Sequence, residues 1–284
     1  MQPWALVTPA SRGIGLELAR RLLRTTDIPI VTSARKDLDQ TREKVLSGLD
    51  GVSEDRLHVL KVDVLGKYAS YHKLCDYEPP THTRGLPDEQ TIIDAASTIA
   101  NTFPKKSSYL HLALAVPGIL YPEKSPSQID YDNALRTFQT NTLGPMVLLK
   151  HFSPFLPRKA TILEGLKGLP AHAVWANMSA RVGSITDNGL GGWYSYRASK
   201  AAVNQVTKTF DNHLKTSAGE NAMAISLHPG TVKTDFSKEF WGNVKEEKLF
   251  SPEFSAEKLM EVICGRKVEH RGKFFDWKGE EVPP

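Results

Sequence analysis

Short apolar runs that alternate with helix-like segments constrain the fold of this chain more than any other feature. Strands that alternate with helices favour a parallel sheet, because each helix packs on the sheet before the next strand begins. The alternation predicts an α/β, doubly wound fold with about seven parallel strands and helices on both faces. The predicted strands lie near residues 4–8, 28–33, 57–62, 109–115, 171–178, 222–228 and 273–277.

The length of 284 residues and the hydrophobic content of 40% allow a large buried core. Folds of this class and size often form one domain, so residues 1–284 are expected to be a single domain. Two stretches are irregular. Residues 66–88 are rich in tyrosine and proline and are interpreted as an insertion, and residues 229–252 follow the sixth predicted strand.

The charge and cysteine content exclude several classes of function. The 36 basic and 32 acidic residues are dispersed, which argues against a nucleic-acid partner. Cys75 and Cys264 are too few for a disulfide framework or a metal cluster. No apolar run approaches the roughly 20 residues of a membrane helix, and the first strand starts without room for a signal peptide. We therefore expect a soluble, cytoplasmic protein without a metal.

The first predicted strand runs into a turn that contains glycine. Residues 4–8 are strand-like, residues 9–15 contain Gly13 and Gly15, and a helical apolar pattern starts at residue 16. A turn of this kind directs backbone N–H groups at the start of a helix toward a phosphate, and glycine allows the ligand to approach closely. An ordinary β-α turn is the alternative interpretation.

A tyrosine and a lysine are spaced four residues apart in a second predicted helix. Tyr196 and Lys200 would project from the same helix face. A neighbouring cation favours the ionised form of a phenol, so the pair predicts a tyrosine with a lowered pKa that acts as a general acid. The spacing alone also occurs by chance on surface helices.

Taken together, four segments resemble the short-chain dehydrogenase/reductase family. They are the turn from Thr8 to Gly15, Asn141, the Tyr196/Lys200 pair and Pro229-Gly230. Residues 191–200 and 272–277 are similar to the branch that contains C-factor-like and sniffer-like carbonyl reductases. The resemblance implies a Rossmann fold, a nicotinamide cofactor and hydride transfer between that cofactor and a small-molecule carbonyl or alcohol.

Residues after the second predicted strand indicate which nicotinamide cofactor is used. A carboxylate at this place binds the ribose hydroxyls of NAD, whereas arginine accommodates the 2′-phosphate of NADP. Here the strand is followed by Arg35 and Lys36, and Arg12 precedes Gly13 in the glycine turn. Two guanidinium groups near one phosphate form a strong anion site. We therefore predict NADP(H), with two exposed surface cations as the alternative.

The resemblance also implies the other cofactor contacts. Asp63 matches the residue that binds the adenine amino group, and Gly118 ends the turn after the fourth strand. Val232 would bind the carboxamide through its backbone, and Thr234 would reach the pyrophosphate. The complete set of predicted cofactor residues is Thr8, Ser11, Arg12, Gly13, Ile14, Gly15, Arg35, Asp63, Val64, Gly118, Tyr196, Lys200, Pro229, Gly230, Val232 and Thr234.

For catalysis, the resemblance implies that Tyr196 protonates the carbonyl oxygen. Lys200 would lower the tyrosine pKa and bind the nicotinamide ribose, and Asn141 would organise water molecules next to the lysine. By the geometry of the family, the substrate loop 229–252 lies at the mouth of the site. The aromatic residues expected there are Trp193, Tyr194, Phe236, Phe240 and Trp241.

The chain departs from the family pattern at the serine that binds the substrate carbonyl. Alignment of the strand end places Ala180 at that position, whereas the interval to Tyr196 points to Ser184. Ser184 is the predicted substitute, with Ser179 second, and a simple turn residue is the alternative for Ser184. Pro9 and residues 115–118 also differ from the glycine and amide residues of the pattern.

Two functions remain open from the sequence. The first is an NADPH-dependent oxidoreductase that reduces a ketone, aldehyde or quinone, with Tyr196 as general acid. The second is an NADPH-binding sensor or scaffold of the same fold with little turnover. The resemblance leaves a monomer, a homodimer and a homotetramer open.

Overall fold

The computed structural model describes residues 1–64 and 89–284, so the predicted insertion at 66–88 lies outside the described residues. The strands are β1 (Gln2–Thr8), β2 (Ile30–Ala34), β3 (Leu57–Lys61), β4 (Ser108–Ala115), β5 (Ala173–Met178), β6 (Ala222–His228), β7 (Thr231–Val232), β8 (Leu249–Phe250) and β9 (Phe274–Asp276). The α-helices are α1 (Gly13–Thr25), α2 (Leu38–Leu46), α3 (Glu89–Thr102), α4 (Tyr131–Phe138), α5 (Gly144–Phe152), α6 (Tyr194–Ser217) and α7 (Pro252–Cys264).

Within these residues, seven strands form one parallel sheet in the order β3-β2-β1-β4-β5-β6-β9. All seven predicted strands are present in it, so the doubly wound α/β prediction is confirmed. The strand order reverses between β1 and β4. In open α/β sheets, ligands bind beyond the carboxyl ends of the strands at such a switch point.

Helices cover both faces of the sheet because alternate strand residues point in opposite directions. In β1, Ala5 and Val7 pack into a core under α1 and α7, whereas Trp4 and Leu6 pack into a second core with residues of α3, α5 and α6. Since residues 4–7 of β1 are buried on both faces of the sheet, all four are apolar instead of alternating with polar residues.

The loop after β6 is irregular, as the sequence predicts. Residues 229–252 contain the short strands β7 and β8, which pair with each other outside the main sheet, and two 3-10 turns. Among the described helices, none combines the length and apolar character that a bilayer-spanning segment needs.

A buried ion pair fixes the carboxyl-terminal half of α6. Asp211 is inaccessible to solvent, and its carboxylate accepts hydrogen bonds from Arg271 Nε at 3.0 and 3.1 Å and from the Ala224 backbone N–H at 3.1 Å. Arg271 also donates to the backbone carbonyls of Gly219 and Ala222. The pair therefore joins α6 to the start of β6.

We predict that Asp211→Ala lowers the free energy of unfolding by about 3–5 kcal/mol, because it leaves the Arg271 charge buried without its partner. Denaturant unfolding measures the loss. Glu261→Ala is the control, since it breaks the partly exposed Lys258–Glu261 pair and should cost less than about 1 kcal/mol. Equal losses in the two variants would contradict the prediction.

Candidate active site

The predicted site residues meet at the carboxyl ends of the central strands. The glycine turn follows β1, Gly118 follows β4, and the segment with Ala180 follows β5. Pro229 and Gly230 follow β6. These segments surround the switch point between β1 and β4, where a doubly wound sheet opens a crevice for a ligand.

Neighbouring strands hold the glycine turn in place. The Thr8 hydroxyl is buried and lies 2.6 Å from the Ser33 hydroxyl, and the Ala10 N–H donates to the Ser33 carbonyl at 2.8 Å. A Cβ on Gly15 would lie 2.0 Å from the Pro9 carbonyl oxygen, so only glycine fits there. Pro9 is thus part of a tightly packed turn.

The first turn of α1 is suited to an anion. Arg12 at its N-cap makes no side-chain cap, and the first turn contains no acidic residue. Ser11, Gly13 and Ile14 are all partly accessible. In the described part of the chain, no side chain caps these first backbone N–H groups, a feature that suits a phosphate site.

Two arginines belong to the turn and to the end of the neighbouring strand β2. Arg35 follows β2 and is exposed, as is Arg12. Arg12 Nη1 lies 3.6 Å from a carboxylate oxygen of Asp235, which is also exposed. Gly13 lies close to Thr234, because an added Cβ would be 3.3 Å from the threonine methyl. Together, these two contacts show that the glycine turn lies next to loop 229–252.

Asp63 and Val64 lie just after β3 and are half-buried. The Asp63 N–H donates to the Thr91 hydroxyl at 2.9 Å, which ties this segment to α3. Val64 packs against Gly144, where an added Cβ would be 3.1 Å from the valine Cβ. Both residues therefore border the crevice on the side of the sheet that carries β2 and β3.

Tyr196 and Lys200 lie one turn apart in α6 and are both buried, at 6% and 2% exposure. Lys200 Nζ donates to the Met178 carbonyl at 2.7 Å and lies 5.8 Å from the centre of the Tyr196 ring. Burial lowers the pKa of Lys200 to about 7 and raises the pKa of Tyr196 above its ordinary value. The expected lowering of the tyrosine pKa is wrong for this structure, because burial disfavours the charged phenolate.

Asn141 lies in a π-helical turn, Gln139–Leu143, between α4 and α5, and it is completely buried. Its Oδ1 accepts from the Ile119 N–H at 2.8 Å, and its Nδ2 donates to the Ile119 carbonyl at 2.9 Å and to the Ser199 hydroxyl at 3.1 Å. A Cβ on Gly118 would lie 3.7 Å from Lys200 Nζ and 3.9 Å from Asn141 Oδ1. The structure thus brings Asn141, Gly118 and Lys200 together.

Both candidate serines hold backbone segments. The Ser184 hydroxyl donates to the Pro284 carbonyl at 3.4 Å and accepts from the Asp187 N–H at 3.0 Å. The Ser179 hydroxyl donates to the Lys200 carbonyl at 3.3 Å. In the described part of the chain, neither hydroxyl hydrogen-bonds to Tyr196. Ala180 precedes the 3-10 turn Arg181–Gly183 and contributes a methyl group only.

Aromatic rings surround Tyr196 on the open side of the crevice. The Trp193 ring centre lies 6.1 Å from that of Tyr196 and 4.9 Å from that of Phe240, and Phe236 lies 5.9 Å from Tyr196. We call Trp193, Phe236 and Phe240 the aromatic wall. Phe236 is 43% exposed, so this part of the wall faces solvent.

The Pro229-Gly230 turn is fixed by its surroundings. Gly230 has φ +78°, and an added Cβ would lie 2.6 Å from the Phe250 ring, so glycine is required. The Pro229 carbonyl accepts from the Ser255 hydroxyl at 2.9 Å, and Val232 is buried in the β7–β8 pair.

Several residues that shape the site could not be found from the sequence. Ser33 pairs with Thr8, Asp235 contacts Arg12, and Ser199 binds Asn141. Glu123 accepts two hydrogen bonds from Ser195 at the start of α6. No motif marks these residues, because each acts through a contact with a distant part of the chain.

Two curated relatives resemble the chain over most of their own length. C-signal of Myxococcus xanthus is 36% identical over 155 residues, which is 55% of this chain and 81% of the relative. The 1-hydroxy-2-glutathionyl-2-methyl-3-butene dehydrogenase of Rhodococcus sp. (strain AD45) is 32% identical over 181 residues, 64% of this chain and 71% of the relative. No protein-family model matches the chain.

Solved structures with the same fold include an NADPH-bound carbonyl reductase from chicken fatty liver, with a TM-score of 0.76 and 24% identity. The carbonyl reductase Sniffer of D. melanogaster has a TM-score of 0.77 and 23% identity. In each case 100% of both chains is covered. The match extends over the whole sheet and its flanking helices.

We predict that the free energy of unfolding rises between pH 7 and 8.5 because of Lys200. Above pH 7 the folded chain loses this proton, whereas the unfolded lysine keeps it up to its ordinary pKa of about 10.4, so the unfolded state binds more protons. The slope should approach about 1.4 kcal/mol per pH unit. Denaturant unfolding at several pH values measures it. Lys200→Met should flatten the profile, and the same slope in that variant would contradict the assignment.

Proposed function

This chain belongs to the short-chain dehydrogenase/reductase family, and we propose that it is an NADPH-dependent reductase of a small-molecule carbonyl, with Tyr196 as general acid. The observation that supports this best is one juxtaposition. Tyr196 and Lys200 are buried beside the end of β5 and next to the aromatic wall, and loop 229–252, which carries Phe236 of that wall, also borders the glycine turn. This arrangement supports a proton donor next to an apolar opening, with the candidate anion site at the start of α1 against the same loop.

The residues around the crevice fit NADP(H). The uncapped first turn of α1 offers backbone N–H groups to the pyrophosphate. Gly13 has no side chain that would press against Thr234, so the turn and loop 229–252 can lie close together around the cofactor. Arg12 and Arg35 are exposed and carry the charge that a 2′-phosphate needs. Asp235 lies beside Arg12, so this ion pair would have to break before the guanidinium could bind the phosphate. The bound cofactor supplies the hydride.

The surroundings of Tyr196 keep its phenol protonated, as a general acid requires. Burial raises its pKa, so the phenol is protonated at neutral pH and can donate to a carbonyl oxygen that gains negative charge. The proton moves from the phenol to the substrate oxygen, which leaves a tyrosinate. Lys200, when protonated, stabilises this anion from the next helical turn, and Asn141 keeps the neighbouring Gly118–Ile119 backbone in place.

The substrate class follows from the aromatic wall and from Ala180. Aromatic side chains favour a planar, apolar substrate. Without a serine hydroxyl at residue 180, one hydrogen bond to the carbonyl oxygen is missing, and loss of such a donor slows turnover by roughly 10²- to 10³-fold. Quinones and diketones compensate, because their second carbonyl delocalises the developing charge. We therefore favour an activated, planar dicarbonyl over a simple ketone.

A second function is supported by the same serine positions. Ser179 and Ser184 are both engaged with backbone groups, and Ala180 carries no hydroxyl. A chain of this kind would bind NADPH and turn over slowly, as a cofactor sensor or scaffold. Tight NADPH binding without reduction of any carbonyl distinguishes it from the reductase.

We predict that Tyr196→Phe reduces kcat for phenanthrenequinone by roughly 10²- to 10⁴-fold, because it removes the general acid but keeps the ring. Loss of NADPH absorbance measures the rate, and calorimetry measures NADPH binding, which should persist. Tyr131→Phe is the matched control, since Tyr131 is exposed at the start of α4, outside the predicted site, and this variant should keep its activity. A wild-type protein that binds NADPH and reduces no carbonyl would favour the sensor.

We predict that Arg12→Ala and Arg35→Ala each weaken NADPH binding by roughly 10- to 100-fold, since each removes a charged hydrogen bond to the 2′-phosphate. The affinity for NADH, which lacks that phosphate, should remain nearly constant. Titrations with both cofactors provide the comparison, and Arg24→Ala, an exposed arginine in the last turn of α1, is the control. Parallel losses for NADPH and NADH would refute the assignment.

A further inference from the structure

A buried glutamate at the start of α6 makes an unusual set of contacts. Glu123 follows β4 and is 3% exposed. Its Oε2 accepts from the Ser195 N–H at 2.8 Å, and its Oε1 accepts from the Ser195 hydroxyl at 2.6 Å. Its backbone carbonyl accepts from the Trp193 N–H at 2.6 Å. Three hydrogen bonds therefore connect one residue to a helix start that is 72 positions away in the chain.

The helix lacks the local cap that usually occupies this place. Trp193 precedes α6 with φ 51°, in the left-handed region, and its side chain makes no cap. The first N–H groups of a helix have no partner within the helix, and a Ser, Thr, Asp or Asn side chain normally accepts from one of them. Glu123 supplies this acceptor from another part of the chain, and its negative charge suits the positive end of the helix.

The glutamate holds two functional elements at once. Its backbone fixes Trp193, which belongs to the aromatic wall and contacts the Tyr196 ring. Its carboxylate fixes Ser195, the residue directly before Tyr196. Gly192, directly before Trp193, also lies close to Glu123, because an added Cβ on Gly192 would be 3.3 Å from the Glu123 carbonyl oxygen.

We propose that Glu123 is a positioning residue, which acts through Ser195 and Trp193 to set the geometry of the Tyr196 phenol and of the aromatic wall toward the carbonyl substrate. Glu123 itself is buried beneath the turn and does not touch the substrate. The kinetic part of this inference rests on the proposed reductase function. The structural part, an ordered first turn of α6, is independent of it.

The test compares Glu123→Ala with Glu123→Gln and with Arg56→Ala. Glutamine keeps an amide oxygen that can accept one of the two Ser195 hydrogen bonds. Arg56 donates to the backbone carbonyls of Leu23, Thr26 and Ile28 near the opposite edge of the sheet, so its loss tests stability alone. The measurements are kcat and KM for phenanthrenequinone, the NADPH Kd, and amide hydrogen exchange in residues 193–200 and in α7.

For Glu123→Ala we expect kcat to fall by about 10- to 100-fold, since small displacements of a catalytic group have effects of this size. The NADPH Kd should stay within about threefold, because most of the predicted cofactor contacts, including those to the phosphates, lie on the glycine turn, after β2 and β3, and in loop 229–252. Exchange should accelerate in residues 193–200 but not in α7. Glu123→Gln should recover most of the lost rate, and Arg56→Ala should keep the wild-type kcat.

The opposite results would overturn the inference. An unchanged kcat and unchanged exchange in Glu123→Ala would show that the first turn of α6 is ordered without the glutamate. Equal rate losses in Glu123→Ala and Arg56→Ala would show a general loss of stability. If the wild-type protein reduces no quinone, the reductase proposal fails for this substrate, and the exchange data alone decide whether Glu123 orders the turn.

Discussion

The burial of Lys200 beneath the end of β5 is the constraint on which the geometry of the site depends. Its amine donates to the Met178 carbonyl at 2.7 Å. The helix backbone lies so close to the turn after β5 that a Cβ on Gly183 would be 2.8 Å from the Lys200 Cβ. This contact sets the distance between α6 and the sheet. Tyr196, one turn earlier, is buried on the same face of α6.

Burial acts in opposite directions on the two ionisable groups of the site. It keeps the proton on Tyr196 and lowers the pKa of Lys200 to about 7, so both groups favour their neutral forms. An anion next to Lys200 would favour the ammonium again, because an opposite charge nearby stabilises it. The lysine is thus sensitive to what binds beside it.

Much of the fold could be predicted from the sequence, and the functional contacts only in part. The alternating apolar runs predicted all seven strands of the sheet. The motifs predicted Tyr196, Lys200, Asn141 and Gly118, and the structure brings these residues together. The pKa of Tyr196 was predicted with the wrong sign. Spacing shows that two groups are neighbours, but the depth of burial is a property of the packed chain.

The two serines illustrate the same limit. Counting residues identified Ser184 and Ser179 as hydroxyl donors, yet their partners are Pro284, Asp187 and the Lys200 backbone. Where a hydroxyl points depends on a backbone segment that the local sequence does not specify. Their role toward a substrate therefore stays a prediction.

By itself the sequence determined the order of strands and helices, the glycine turn after β1 and the spacing of Tyr196 and Lys200, because these depend on local periodicity and on residues near one another in the chain. Only the tertiary structure decided that Glu123 accepts hydrogen bonds at the start of α6, that Lys200 donates to the Met178 carbonyl, and that Asp235 lies next to Arg12. Each of these contacts joins residues that are distant in the chain, and it forms only when the sheet brings the strand ends to one edge.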